Sequence, residues 1–153
     1  MDIRYRILHT SGTWSLTVLR AMLGLVILPH GAQKLLGWFG GGGPAAFLGG
    51  FEQMTGLPGL LGWLVILIEF VGSICLIFGF WTRIWAFSML CLFIGIILTV
   101  HLPNGFFMNW GGNLAGEGYE FHLLVIGMAW ALTVGGGGAL SLDRSMMGAE
   151  RTF

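Results

Sequence analysis

The chain has 153 residues, of which 56% are hydrophobic and only 9% are charged, with 7 basic and 7 acidic side chains that balance each other. A soluble domain has about 25% charged residues, so this chain has too few of them to cover a surface that faces water. The composition excludes a typical cytosolic enzyme, a disordered chain and a nucleic-acid-binding protein, which would need a basic patch. The two cysteines are not a C-x-x-C pair, so neither a disulfide framework nor a cysteine-rich zinc site is indicated. These properties favour a polytopic protein embedded in a lipid bilayer.

Four apolar stretches are long enough, or nearly so, to form helices that cross a bilayer, which takes about 20 residues. They cover residues 15–36, 60–80, 84–100 and 119–135. Uninterrupted apolar runs favour helices over barrel strands, in which apolar and polar residues would alternate. The sequence therefore predicts an all-α fold, a polytopic four-helix bundle in the membrane, with residues 1–153 forming a single membrane domain.

The segments between the predicted spans form two loops, 37–59 and 101–118, and the tail 136–153 follows the last span. Two glycine runs, 40–43 and 135–138, are not followed by the GK[ST] of a phosphate-binding loop. We therefore interpret both runs as flexible connectors.

The basic residues predict the orientation, because Lys and Arg are enriched in cytoplasmic segments. If the spans alternate in direction, six arginines fall on one side of the membrane, whereas the loops on the other side contain no Lys or Arg. The six are Arg4, Arg6, Arg20, Arg83, Arg144 and Arg151. Both termini and the tail are therefore predicted to be cytoplasmic, and the two loops to face outward.

Glu69 is the most informative polar residue, because it lies nine residues into the second span. At the helical rise this is roughly 13 Å deep. A charge at that depth is costly and faces the protein interior or a watery cavity. We therefore predict that Glu69 lies within hydrogen-bonding distance of His30, Gln33 or Lys34 on the first span. The alternatives are that Glu69 is a protonated structural residue and that Lys34 extends to the membrane interface.

Further polar residues are predicted at the same outward end of the bundle. Pro29 removes a helical hydrogen bond beside His30, which shares a helix face with Lys34. His101 lies at the end of the third span, and two polar residues begin the fourth. Together they predict one polar pocket that is walled by apolar helices. The candidate binding residues are His30, Gln33, Lys34, Glu69, His101, Glu120 and His122.

The chemistry of this set suits a quinone head group. His and Lys can donate hydrogen bonds to its carbonyl oxygens, and a carboxyl group can pass protons. The catalytic candidates are His30, Lys34, Glu69 and His101. A metal site is not predicted, because no pair of candidates has a tight ligand spacing such as H-E-x-x-H. The sequence contains no recognisable electron carrier, so a reaction would need a partner subunit or a bound cofactor.

Several ordered segments resemble the DoxX family of small bacterial membrane proteins, over about residues 15–144. They are 29–39 (PHGAQKLLGWF), 69–72 (EFVG), 79–83 (GFWTR), 100–106 (VHLPNGF) and 140–144 (LSLDR). The resemblance implies a four-helix protein of the bacterial cytoplasmic (inner) membrane that associates with oxidoreductases. Relatives in this family include subunits that couple the oxidation of sulfur compounds to quinone, and partners of detoxifying enzymes.

Three functional hypotheses remain open from the sequence. The first is a quinone-linked oxidoreductase subunit that acts with other membrane or periplasmic redox subunits. The second is a non-catalytic subunit that anchors or assembles a larger complex, in which His30, Lys34 and Glu69 only stabilise the bundle. The third is transport of a small molecule or metal, for which four spans would need an oligomer.

Overall fold

The structure, a computed structural model, describes residues 3–149, apart from the side chains of Arg4 and Ala149. Arg151 and the side chain of Arg4, both used above to predict the orientation, lie outside the described part. All regular secondary structure within residues 3–149 is helical, and this range contains no β-strand. The prediction of an all-helical chain is confirmed over this range.

Three helices are long and apolar enough to cross a membrane. In chain order, the helices are α1 (Ile3–Leu8), α2 (Trp14–Leu36), α3 (Gly43–Thr55), α4 (Gly59–Phe78), α5 (Thr82–Asn104), α6 (Glu120–Gly135) and α7 (Leu142–Ala149). The three long apolar helices are α2, α4 and α5, and α6 is a shorter apolar helix.

The core lies where α2, α4, α5 and α6 pack together, with α6 contacting both α5 and α2. Each helix places fully buried apolar side chains there, among them Leu23, Leu76, Met89 and Val125. The same helices expose large apolar side chains on their other faces, such as Leu60 at 79%. Apolar residues all round a helix are typical of one that meets lipid on its outer side.

Two glycines allow α2 and α4 to approach each other closely. A Cβ atom on Gly31 would lie 2.6 Å from the backbone nitrogen of Phe70, and one on Gly24 would lie 2.7 Å from the carbonyl oxygen of Ser73. Small residues at helix contacts let backbones approach in this way. The contact at Gly31 places the last turns of α2 beside the segment of α4 that contains Glu69.

We call the opposite end of the helices the Arg20 end. Buried charged side chains there form hydrogen bonds with the backbone of segments that are distant in sequence. Arg20 is 2% exposed and donates hydrogen bonds to the carbonyl oxygens of Leu76 (2.8 Å) and Gly137 (2.7 Å), and also to those of Ile77 and Leu140. Leu76 and Ile77 lie in the last turn of α4, where carbonyl groups lose their usual helical donors, and Arg20 supplies donors there.

Asp143 has the corresponding role at the start of α5. Its two carboxylate oxygens accept hydrogen bonds from the backbone N–H groups of Trp81 (2.7 Å) and Thr82 (2.9 Å). These N–H groups have no helical acceptor at a helix start, so an acidic side chain stabilises them.

The interpretation of residues 135–138 as a flexible connector is wrong. Gly136, Gly137 and Gly138 are buried. A Cβ atom on Gly137 would lie 2.7 Å from Thr82 Oγ1, and one on Gly138 would lie 2.6 Å from the backbone nitrogen of Thr17. The glycines are present because the segment packs closely against its neighbours, not because it moves freely.

Candidate functional site

A cavity of about 560 Å³ lies among α2, α3, α4, α5 and α6, at the end of α2 that contains Lys34. Its ionisable lining residues are His30, Lys34, Glu69, His101, Glu117 and His122. The rest of the lining is mainly apolar, with Phe47, Phe51 and Met54 from α3 and Val65, Phe93, Ile96 and Phe121 from the other helices. We call this space the polar cavity. A few polar groups in an apolar pocket of this volume are typical of small-molecule sites.

Lys34 and Glu69 form an ion pair on the wall of the polar cavity. Lys34 Nζ lies 2.5 Å from Glu69 Oε2, and the two side chains are 20% and 4% exposed. Lys34 Nζ also donates to the carbonyl oxygen of His30 (3.4 Å) and lies 5.4 Å from the ring centre of Phe47. The prediction that Glu69 meets a polar group of the first span is therefore confirmed, with Lys34 as its partner.

Two short π-helical segments border the polar cavity. Ile68–Gly72 interrupts α4 and contains Glu69, and Ile97–His101 interrupts α5 and contains Thr99 and His101. A π turn inserts an extra residue into an α-helix and changes the direction of the side chains around it, often at functional sites. Both interruptions occur where ionisable side chains reach the cavity.

His101 and His122 lie together on the α5–α6 side of the cavity, with ring centres 4.2 Å apart. His101 Nδ1 donates a hydrogen bond to the carbonyl oxygen of Glu117 at 2.7 Å. Because a carbonyl oxygen can only accept, Nδ1 holds a proton, so Nε2 accepts a hydrogen bond when the ring is neutral and donates one when the ring is protonated.

His122 is 6% exposed, and its Nδ1 atom has no hydrogen-bond partner in the described part of the chain. Such an atom is costly unless a water molecule or a ligand satisfies it. His101, His122 and the Lys34–Glu69 pair therefore all line the cavity, whereas His122 Nδ1 itself is enclosed by neighbouring atoms.

Two of the residues predicted from the sequence are not in the cavity lining. Gln33 Nε2 donates to the carbonyl oxygen of Phe39 at 3.2 Å. Glu120 Oε1 accepts a hydrogen bond from Trp110 Nε1 at 3.2 Å. Both side chains therefore hold neighbouring loop segments rather than face the cavity.

Two contributions to the site were not predicted. Glu117 lines the cavity, and its Oε2 accepts from the backbone nitrogen of Asn109 at 2.7 Å. Helix α3 forms one wall although its residues lie in the segment 37–59, which was expected to be a loop. Pro44 in the first turn and Gly56 in the left-handed conformation just after the last turn are sequence signals of such a helix.

Within residues 3–149, no group of three or more His, Cys, Asp and Glu side chains is placed to hold a metal ion. The ionisable groups of the cavity are one ammonium group paired with one carboxylate, a second carboxylate on Glu117, and three imidazoles. This set can hold or move protons and can hydrogen-bond a ligand that has oxygen acceptors or hydroxyl groups.

Comparison with known proteins identifies the family. The DoxX family model matches residues 15–102. The chain belongs to the DoxX family. The match includes α2, α4 and most of α5, and so covers His30, Lys34, Glu69 and His101, whereas His122 lies beyond it.

A relative of this DoxX protein is the Bacillus subtilis (strain 168) protein named "Putative oxidoreductase CatD". The two are 30% identical over 126 residues, which are 82% of this chain and 82% of the relative. No solved structure matches the chain.

Proposed function

We propose that this DoxX protein is an integral membrane subunit of a redox system and that its polar cavity binds the head group of a quinone. The observation that supports this most is the Lys34–Glu69 ion pair, which lies on the wall of a mainly apolar cavity that His101 and His122 also line. The oxidoreductase name of the Bacillus subtilis relative is consistent with a redox role.

In the proposed topology, α2, α4, α5 and α6 cross the bacterial inner membrane as a four-helix bundle with both termini in the cytoplasm. The support is the distribution of charge. Arg20 and Arg83 lie at the Arg20 end, whereas residues 37–59 and 101–118 contain no Lys or Arg. The polar cavity then opens toward the outer leaflet, where an amphiphilic ligand can enter from the lipid.

The lining residues fit the two carbonyl oxygens of a quinone. Lys34 donates to Glu69 and to the carbonyl oxygen of His30, which leaves one N–H group for a ligand oxygen. His101 Nε2 donates to the second carbonyl oxygen when the ring is protonated, and accepts a hydrogen bond from a hydroxyl group of the reduced form when the ring is neutral. Ligand pockets measure roughly 300–1,000 Å³. The polar cavity, at about 560 Å³, falls within this range and can accommodate a quinone head group.

Reduction of a quinone to a quinol takes two electrons and two protons. A redox partner subunit supplies the electrons in this proposal, because the chain has no recognisable carrier of its own. Glu69, Lys34 and His101 are placed to hold or relay the protons at the two ligand oxygens.

The test is an equilibrium titration of the protein in lipid nanodiscs with a tail-less quinone analogue. We expect Lys34→Met and His101→Phe each to weaken binding by about tenfold or more, the range of a hydrogen bond to a charged or buried group. Glu120→Gln and Gln33→Met are matched controls, because both residues are near the cavity but outside its lining. No binding to the wild type, or equal losses in the controls, would overturn the proposal.

The second candidate is a non-catalytic subunit that anchors or assembles a larger complex. It is favoured by the aromatic side chains of the loop after α5, where Phe107 is 68% and Trp110 is 87% exposed. Co-purification distinguishes the two functions. A stoichiometric partner whose activity is unchanged by Lys34→Met and Glu69→Gln would support the anchor.

A further inference from the structure

A second, apolar groove of about 410 Å³ runs between α4 and α5. Its lining includes Leu61, Leu64 and Ile68 of α4 and Phe87, Cys91 and Gly95 of α5. We call it the α4–α5 groove. It extends along α5 from Thr99 to Phe87, which corresponds to about 18 Å at the helical rise.

The groove adjoins the polar cavity. Phe51, Val65, Ile96 and Thr99 line both spaces, so these four side chains form a common border. From this border the groove leads away from the charged residues and toward the Arg20 end of α5.

The hydroxyl groups in the groove are already satisfied by their own helix. Ser88 Oγ donates to the carbonyl oxygen of Ile84 (2.9 Å), and Thr99 Oγ1 donates to that of Gly95 (2.8 Å). The remaining surface consists of aliphatic and aromatic carbon and the thiol of Cys91. Such a surface offers no partner to a polar peptide or a charged ligand but packs well against a hydrocarbon chain.

We propose that the α4–α5 groove binds the hydrocarbon tail of an amphiphilic ligand whose head group occupies the polar cavity. This inference rests on the proposed function and restricts its substrate class to long-tailed, lipid-soluble quinones rather than small soluble ones. Once the head group is bound, the tail is held beside the groove at a high effective concentration. A free lipid chain lacks this advantage.

A border shared with the polar cavity distinguishes this groove from a third depression. That depression, of about 550 Å³ and bordered by Leu35, Leu60, Trp63 and Phe70, shares no lining residue with the polar cavity. It adjoins the groove instead, through Leu61 and Leu64. A tail that leaves the cavity therefore meets the groove first.

The experiment uses Gly95→Phe, because Gly95 lines the groove and a Cβ atom there meets nothing within 4 Å, so the added ring projects from an open position. Gly127 of α6 is the matched control: it is also helical, and its Cβ would also meet open space. The full chain in nanodiscs is titrated with two quinone analogues that have the same head group. One has no tail, and the other has three isoprene units, comparable in length to the groove.

We expect Gly95→Phe to weaken binding of the tailed analogue by about tenfold or more, equivalent to about 1.4 kcal/mol, and to leave the tail-less analogue unchanged. Gly127→Phe should change neither. Each comparison is between a variant and the wild type titrated with the same analogue. Partitioning of the tail into lipid therefore affects both apparent affinities equally and cancels from their ratio. Retained binding of the tail-less analogue also shows that the variant is folded.

Cys91 provides a second measurement. In a Cys75→Ala background, the tailed analogue should slow alkylation of Cys91 by a small thiol reagent, and the tail-less analogue should not. If Gly95→Phe affects neither analogue and Cys91 is not protected, the groove does not hold the tail although the cavity binds the head group. If neither analogue binds the wild type, the proposed function itself fails.

Discussion

The ammonium group of Lys34 and the carboxylate of Glu69 meet at 2.5 Å across the contact between α2 and α4, although the residues are 35 positions apart. A lone carboxylate at this depth in a membrane is expensive, by about 2.5–3.5 kcal/mol on insertion scales. The pair offsets that expense and at the same time presents a charged group to the polar cavity. If the cavity binds the proposed ligand, stability and ligand binding both depend on this pair.

Removing one member of this pair should destabilise the protein more than removing both. Lys34→Met leaves the Glu69 carboxylate without a partner, which costs about 3–5 kcal/mol for buried pairs. The double variant Lys34→Met/Glu69→Gln should recover most of this loss, because no buried charge remains. Thermal unfolding in detergent is measured for the wild type, Lys34→Met, Glu69→Gln and the double variant. This double-mutant cycle gives the coupling energy between the two side chains. Strictly additive losses would show that the two side chains do not interact.

Gly31→Ala should separate α2 from α4 and weaken the ion pair. The added methyl group would lie 2.6 Å from the backbone nitrogen of Phe70, so the helix must shift. Overpacking of this kind costs about 1–3 kcal/mol. Gly127→Ala is the control, because its Cβ has open space and alanine favours the helix. The unfolding temperature should fall for Gly31→Ala only, and equal values for the two variants would contradict the close approach.

Arg20→Lys should destabilise the Arg20 end without affecting ligand binding. The guanidinium group of Arg20 reaches four backbone carbonyl groups, and an ammonium group cannot match this planar arrangement of donors. Arg6→Lys, at an exposed position, is the control and should be neutral. Unfolding temperature and quinone titration should both be measured. Loss of affinity in folded Arg20→Lys protein would mean that the two ends of the molecule are coupled.

Asp143→Ala should weaken the start of α5, because two backbone N–H groups lose their acceptors. Loss of a helix cap costs about 0.5–2 kcal/mol. Asp143→Asn, which retains one oxygen acceptor, should lose less. Unfolding temperatures that decrease from the wild type to Asp143→Asn and then to Asp143→Ala would agree with a capping role for Asp143. An Asp143→Ala protein as stable as the wild type would exclude it.

The Lys34–Glu69 pair could be predicted from the sequence because helical geometry converts residue number into depth. A buried acidic residue in one span needs a partner at a similar depth, and α2 offers few candidates. The close approach at Gly31 refines the prediction, because it brings Lys34, rather than Gln33, to the carboxylate.

Other features depend on contacts that no sequence pattern shows. The acceptors of Arg20 are backbone carbonyl groups, which every residue has, and two of them lie more than 100 positions away. The close packing of Gly137 against Thr82 is equally invisible, since a glycine run is the same in a mobile connector and in a tight contact. The π turns at Glu69 and His101 have no recognised signature in the sequence.

The central claim is that the polar cavity binds a quinone head group, and photoaffinity labelling tests it most directly. The protein in nanodiscs would be irradiated with an azidoquinone, and the labelled residues would be located by mass spectrometry. If the cavity binds the head group, we expect labels on cavity residues such as Phe47, Phe51, Met108 and Phe121. Excess unlabelled quinone should suppress this labelling. Labels confined to exposed apolar residues such as Leu60 and Trp130, or labels that excess quinone does not suppress, would contradict it.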